Sequence, residues 1–139
     1  MVEYLFVEPT SEHLFEEIVA LYRAMGWWGD APDDLLSVSR LVGGSHAFLA
    51  ALDGGALVGM GRALSDRESD AYVQDVAVRP DRRRQGIGGE IVRRLVARLE
   101  DDGIGWIGLV AEPGATRLYE REGFAPMPGA LAMVRRRQP

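Results

Sequence analysis

The chain has 139 residues, 47% of them hydrophobic and 27% charged, which suits one soluble domain with its own core. It contains neither cysteine nor lysine, so disulfides, thiolate metal sites, thiol nucleophiles, lysine Schiff bases and P-loop lysines are excluded together. A formal net charge of −5 disfavours non-specific nucleic-acid binding, and no apolar run approaches the ~18–20 residues that cross a bilayer. A cytoplasmic protein with no metal site and no membrane partner is expected.

Residues 2–7 read as a first strand, stopped by Pro9. Thr10-Ser11 is placed to cap a helix with Glu12 in its first turn. Along it Leu14, Ile18, Leu21 and Met25 recur at helical spacing, and Gly26 ends the run. An aromatic loop, Trp27-Trp28-Gly29-Asp30-Ala31-Pro32, leads into a short second helix over residues 32–41, with Gly43-Gly44 beyond its end.

The pattern then changes to strands. Residues 46–52 and 56–64 flank Asp53-Gly54-Gly55, a hairpin signal. A third strand, 72–78, follows a polar turn at 65–69 and stops at Arg79-Pro80-Asp81. An amphipathic helix is expected over 86–102, its stripe made of Ile87, Ile91, Val92, Leu95, Val96 and Leu99, with Glu90 and Arg94 paired on the wet side. Residues 106–110 read as a buried strand, 114–122 as a short helix closed by Gly123-Phe124, and 130–136 as a last strand. The order β-α-α-β-β-β-α-β-α-β predicts a single α/β domain over residues 1–139, a mixed, mostly antiparallel sheet flanked by helices.

The densest signal is Val76-Ala77-Val78-Arg79-Pro80-Asp81-Arg82-Arg83-Arg84-Gln85-Gly86-Ile87-Gly88-Gly89-Glu90. A strand runs through a turn into glycines that open a helix. The first turn of a helix leaves backbone N–H groups without partners and favours negative charge, and glycine lets a ligand approach that backbone. This is not a dinucleotide fingerprint, because the position that needs the third glycine is Ile91. It is not a P-loop either, for want of lysine.

Arg83-Arg84-Gln85-Gly86-Ile87-Gly88 resembles the [QR]-x-x-G-x-[GA] motif of the GNAT N-acetyltransferase superfamily, and Val78-Arg79-Pro80 before it is similar to that family's strand end. Thirty residues on, Ala115-Thr116-Arg117-Leu118-Tyr119-Glu120-Arg121-Glu122-Gly123-Phe124 is similar to the family's A-x-x-[LF]-Y-[ED]-x-x-G-F helix and turn. Finding both, in order and at this separation, is far more specific than either alone. The resemblance covers residues 72–124.

It implies an acetyl-CoA-dependent enzyme moving acetyl to a primary amine by direct attack. Arg83, Arg84, Gln85, Gly86, Ile87, Gly88 and Gly89 would hold the diphosphate. Val76, Ala77 and Val78 would pair with the pantetheine arm, with an N–H near Val78 polarising the thioester carbonyl. For that, strands 72–78 and 106–110 must part, helped by a bulge. Tyr119 is the candidate acid for the leaving thiolate.

For the general base the apolar flanks of Asp75 make it one candidate, beside a purely structural carboxylate; Glu112, Asp66, Glu68 and His46 are others. Simple alternation places Tyr72, Gln74, Val76 and Val78 on one face and Val73, Asp75 and Ala77 on the other. Glu112 stands where many relatives of that family carry a cofactor-contacting Asn, so its carboxylate is left as a cofactor contact, a substrate-facing group or a merely exposed one. Trp27 and Trp28 are candidates for the acceptor wall, with Asp30, Asp33 and Asp34 near them either for a cationic amine or as helix-dipole partners. A small-molecule amine is the expected acceptor, a protein amine the alternative, and a homodimer a family-level expectation. A non-catalytic acyl-CoA sensor is the competing class.

Overall fold

A computed structural model describes residues 1–31 and 34–137. The expected helix start at Pro32 and the carboxylate of Asp33 lie outside the described residues. Five strands form one sheet in the order β1 (Val2–Phe6), β2 (Ala47–Asp53), β3 (Ala56–Ser65), β4 (Asp70–Val78) and β5 (Trp106–Gly108). The first four are antiparallel neighbours, and β5 runs parallel to β4 after a helical crossover. Helices α1 (Phe15–Ala24) and α2 (Asp34–Gly44) cover one face, α3 (Ile87–Asp101) covers the other, and α4 (Thr116–Arg121) packs beside α3.

Alternation along β2 builds both layers at once. Phe48, Ala50 and Leu52 join Ile18, Tyr22 and Val38 on the α1–α2 side, while Leu49 and Ala51 join Ile91, Leu95 and Leu99 on the α3 side. Helix α3 forms as its stripe predicts: Ile91, Val92, Leu95 and Leu99 are fully buried, each contributing about 1.5–3 kcal/mol. Its wet flank carries Arg93 and Arg94 against Glu90, at 2.7 and 3.6 Å. Small residues let α3 sit close: a Cβ at Gly61 would stand 2.7 Å from Ile91 and 3.1 Å from Leu95.

Three expectations fail. The buried strand read over 106–110 is only β5, Trp106–Gly108, and it is an outer strand with Trp106 48% and Val110 56% exposed. Ser11 does not cap α1; a short 3₁₀ turn, Glu12–Leu14, precedes the helix, and the Ser11 hydroxyl instead accepts from the Glu8 N–H at 3.1 Å. Residues 130–136 do not add a sixth strand. They are exposed and form no regular element, because strand conformation needs a paired neighbour that local composition cannot supply. Among the described residues no helix is long and apolar enough to cross a membrane.

Candidate active site

Strand β4 is regular up to Gln74, which pairs with Arg62; the register with β3 then shifts, and Ala77 pairs with Met60. Asp75 sits in this bulge with φ +58°, a left-handed conformation that Asp tolerates better than most residues. The extra residue inverts the alternation beyond it. Ala71 and Val73 before the bulge, and Val76 and Val78 after it, all face α3, whereas Ala77 faces α1 and α2. The face shared by Tyr72, Gln74, Val76 and Val78 under simple alternation is therefore not formed.

The bulge is held from below. One carboxylate oxygen of Asp75, Oδ2, accepts from the Arg62 guanidinium at 2.6 Å and from the Tyr22 hydroxyl at 2.7 Å. Arg62 and Tyr22 are both buried. Burial and the adjacent Asp75 charge push the Tyr22 phenol above its ordinary pKa, so it stays a donor. The ring of Trp28 stacks on Tyr22, 4.1 Å between centroids, and Trp27 tilts against it at 6.1 Å. Arg23 pins the rest of this loop, bonding the Gly29 carbonyl at 3.0 Å and Asp34 at 2.7 Å, with Asp30 at 3.4 Å. Those two acids are thus engaged by the loop's own arginine.

Beyond the bulge the sheet opens. β5 pairs with β4 at Asp70, Ala71 and Tyr72, so, among the described residues, 73–78 have no strand neighbour on that side. The N–H of Arg79 points back to β3, bonding the Val58 carbonyl at 2.9 Å. Successive peptide groups alternate in direction, so the N–H and C=O of Val78, and likewise of Val76, aim into the gap. The Val78 carbonyl already accepts from Arg83 there, at 3.3 Å.

A cleft of about 720 Å³ fills this gap. Its floor is the β4 edge at Val76, Ala77 and Val78, and its end wall is the start of α3. Arg84 (φ +64°) and Gly86 (φ +79°) both take left-handed conformations and turn the chain sharply into the helix. No side chain caps α3, and its first backbone bond runs from Glu90 N–H to the Gly86 carbonyl at 3.1 Å. The N–H groups of Ile87, Gly88 and Gly89 thus leave the helix end without intrahelical acceptors. Arg83 and Arg84 line the same space.

Gly88 has a second duty. A Cβ there would meet Leu118 of α4 at 2.8 Å, so its smallness lets the two helices touch. Gln85 does not line the cleft; its side-chain Oε1 accepts from the Arg82 guanidinium at 3.2 Å.

Tyr119, Glu112 and Trp27 line the cleft, whereas Asp75 and Trp28 do not. Tyr119 is half-buried and packs edge-on against Phe124, 6.0 Å between centroids. Burial first, then the Glu112 carboxylate and Tyr72, raise its pKa above the ordinary phenol value. The other acid–base candidates lie elsewhere. His46 bridges Ser65 and Asp102 at the far end of α3, 2.7 Å from the latter. Asp66 accepts from the N–H groups of Ser69, Glu68 and Asp70, which hold its carboxyl well below the usual range.

Residues not singled out from sequence also line the cleft: Met25, Leu118, and an ion-paired wall in which Arg93 meets Glu122 at 2.7 Å. Arg93 is indistinguishable by pattern from a solvated helix charge, so no local signal marked it. Among the described residues no group of three acidic or histidine side chains is suited to a metal ion.

These features have close parallels. A family model described as acetyltransferase (GNAT) matches residues 7–124. The rice chloroplastic serotonin N-acetyltransferase 2 is 38% identical over 92 residues, which is 64% of this chain and 46% of that protein. The chain spans less than half the length of the curated relatives it matches. Among solved structures, a GNAT-family acetyltransferase from Streptococcus pneumoniae superposes over all of both chains with a TM-score of 0.78 at 24% identity. An aminoglycoside acetyltransferase from an uncultured soil sample, in complex with sisomicin, superposes over 99% of this chain and 97% of its own, with a TM-score of 0.82 at 15% identity. At such identities the superpositions establish the fold, and the family match, spanning most of the chain, establishes the lineage: this protein belongs to the GNAT acetyltransferase family.

Proposed function

We propose that this chain transfers acetyl from acetyl-CoA to the primary amine of a small molecule by direct attack. One observation carries the reading: a single cleft is lined both by open backbone donors and by a half-buried phenol. The donors are the uncapped start of α3 and the unpaired edge of β4; the phenol is Tyr119. The first set suits a diphosphate and an extended amide-bearing arm, the second a departing thiolate.

In this reading Ile87, Gly88 and Gly89 donate N–H groups to the diphosphate, and Arg83 and Arg84 supply charge beside it. The peptide groups of Val76 and Val78 pair with the pantetheine amides, and an N–H on this edge steadies the carbonyl oxygen as it gains charge. Acetyl-CoA, when bound, supplies an activated thioester. Tyr119, kept protonated by burial and by Glu112, gives its proton or a strong hydrogen bond to the sulfur. With reference values near 10 for a phenol and 8.5 for a thiol, full transfer is already uphill by roughly 2 kcal/mol, the raised Tyr119 pKa adds to that, and a strong hydrogen bond without full transfer avoids most of the cost.

Trp27 and Glu112 are assigned to the acceptor, the ring against its carbon skeleton and the carboxylate near its ammonium. Asp75 is assigned to positioning, because its carboxylate is occupied by Arg62 and Tyr22 and lies off the cleft. Trp28 backs Tyr22 in the same role. The amine's proton leaves to Glu112 or through water to solvent.

The test is release of free CoA from acetyl-CoA across a panel of polyamines, arylalkylamines, amino sugars and amino acids. Turnover is expected with at least one amine, and Tyr119→Phe should lower kcat by about 10²-fold while leaving acetyl-CoA affinity intact. Tight acetyl-CoA binding with no turnover on any amine would make the protein a sensor instead.

A further inference from the structure

Five arginines line the cleft, and they are not equivalent. Arg82 is paired with Asp53 at 2.9 Å, and Arg93 sits between Glu90 and Glu122, 2.7 Å from each. Arg83 donates to the Val78 carbonyl on the edge of β4, and Arg84 forms part of the turn that opens α3. Arg121, the last residue of α4, remains. It is exposed, it lines the cleft, and among the described residues its side chain has neither an acid partner nor a hydrogen bond.

Two contacts fix where Arg121 stands. Leu118, one turn earlier on the same face of α4, lies 2.8 Å from where a Cβ on Gly88 would be. Glu122, the residue after Arg121, has an oxygen 4.0 Å from the Cβ position of Gly89. Arg121 is therefore at the rim of the helix start, beside the turn that carries the N–H groups of Gly88 and Gly89. The carboxylates nearby do not cancel it. Glu122, 8% exposed at its side chain, is held by Arg93, and Arg93 and Arg94 together balance Glu122 and Glu90. Glu120 lines a separate groove along β5. The uncompensated charge on this rim is that of Arg121.

We infer that Arg121 binds the phosphomonoester on the ribose of coenzyme A, and so makes the protein selective for coenzyme A over its dephospho form. The inference rests on the reading above, in which the start of α3 takes the diphosphate. Both phosphate groups hang from one ribose, so a diphosphate seated on Gly88 and Gly89 brings the monoester within reach of a long side chain at that rim. Backbone N–H groups, Arg83 and Arg84 already serve the diphosphate. The monoester, with about −1.5 to −2 charges at neutral pH, needs a cation of its own, and a guanidinium offers it a fork of donors. Because Arg121 is exposed, salt screens the pair, and the preference it gives is about tenfold rather than thousandfold.

Titration calorimetry on the full chain, at one fixed ionic strength, compares coenzyme A with dephospho-coenzyme A. The wild type should bind coenzyme A about tenfold tighter. Arg121→Gln should bring that ratio to about two or below and leave the affinity for dephospho-coenzyme A unchanged. Arg117→Gln is the control, with the same charge change on the same helix at an exposed residue outside the cleft lining, and it should keep the wild-type ratio. A wild-type ratio near one overturns the inference, and so does an Arg121→Gln variant that keeps the preference. An Arg117→Gln variant that lowers the ratio equally overturns it too, since the field of the whole chain and not a contact would then be responsible. In those three cases both ligands still bind and the transferase reading stands. Binding of neither ligand would overturn that reading and this inference with it.

Discussion

Replacing Asp75 by Asn separates positioning from acid–base chemistry. Asparagine accepts the left-handed backbone at φ +58°, so the bulge geometry is kept and only the charge is lost. Arg62, 9% exposed at its side chain, then keeps a buried positive charge without a counter-ion. Breaking a buried pair from one side costs about 3–5 kcal/mol, and the carboxamide oxygen still accepts one hydrogen bond, which favours the lower figure. At about 2.1 cal/mol/K per residue, 139 residues have an unfolding entropy near 0.29 kcal/mol/K, so 3 kcal/mol lowers Tm by about 10 °C. Thermal unfolding should show that drop. Below it, kcat/KM should stay within about tenfold of wild type, because no proton is taken by residue 75. An unchanged Tm together with a kcat loss of about 10²-fold would refute the positioning role and make Asp75 the base.

Two further outcomes concern the cleft. Since burial and the Glu112 charge raise the Tyr119 pKa, kcat should hold through neutral pH and fall only above the ordinary phenol value; Glu112→Gln removes a negative charge, so the alkaline limb should move to lower pH. A pH profile in which Glu112→Gln leaves or raises that limb would break the link. At the helix start, Gly86→Ala meets no atom within 4 Å and should cost only the left-handed strain, about 1–2 kcal/mol. By contrast Gly88→Ala collides with Leu118, and adding Leu118→Ala should recover part of its acetyl-CoA affinity; simple additivity of the two in titration calorimetry would show the helix contact to be irrelevant.

What was legible in the sequence was periodic or punctuated. Helix α3 announced itself through Ile87, Ile91, Leu95 and Leu99, and the β2–β3 hairpin through Asp53-Gly54-Gly55, because one side-chain stripe or one turn suffices. The cleft's floor and end wall were readable for the same reason: Val76 to Val78 and the glycines are contiguous. The bulge was not. Gln74-Asp75 puts a polar residue on each face but does not mark a bulge, and the support of Asp75 comes from Arg62 and from Tyr22, 53 residues away, through hydrogen bonds no local pattern encodes. Trp27 and Trp28 are adjacent and alike in sequence, yet the stack on Tyr22 takes one and the cleft takes the other. Residues 130–136 read as a strand because composition reports willingness to pair, not the presence of a neighbour.

The parting of β4 and β5 divides the molecule mechanically. Three residue pairs, Asp70 with Trp106, Ala71 with Ile107 and Tyr72 with Gly108, moor β5 to the sheet, while β3 and β4 are laced along most of their length. The portion bearing Tyr119 therefore hangs from a short seam and from α3. Sub-global opening of that flap costs less than loosening the rest, so under the proposed reaction a spent thiol would leave without the main body unlacing.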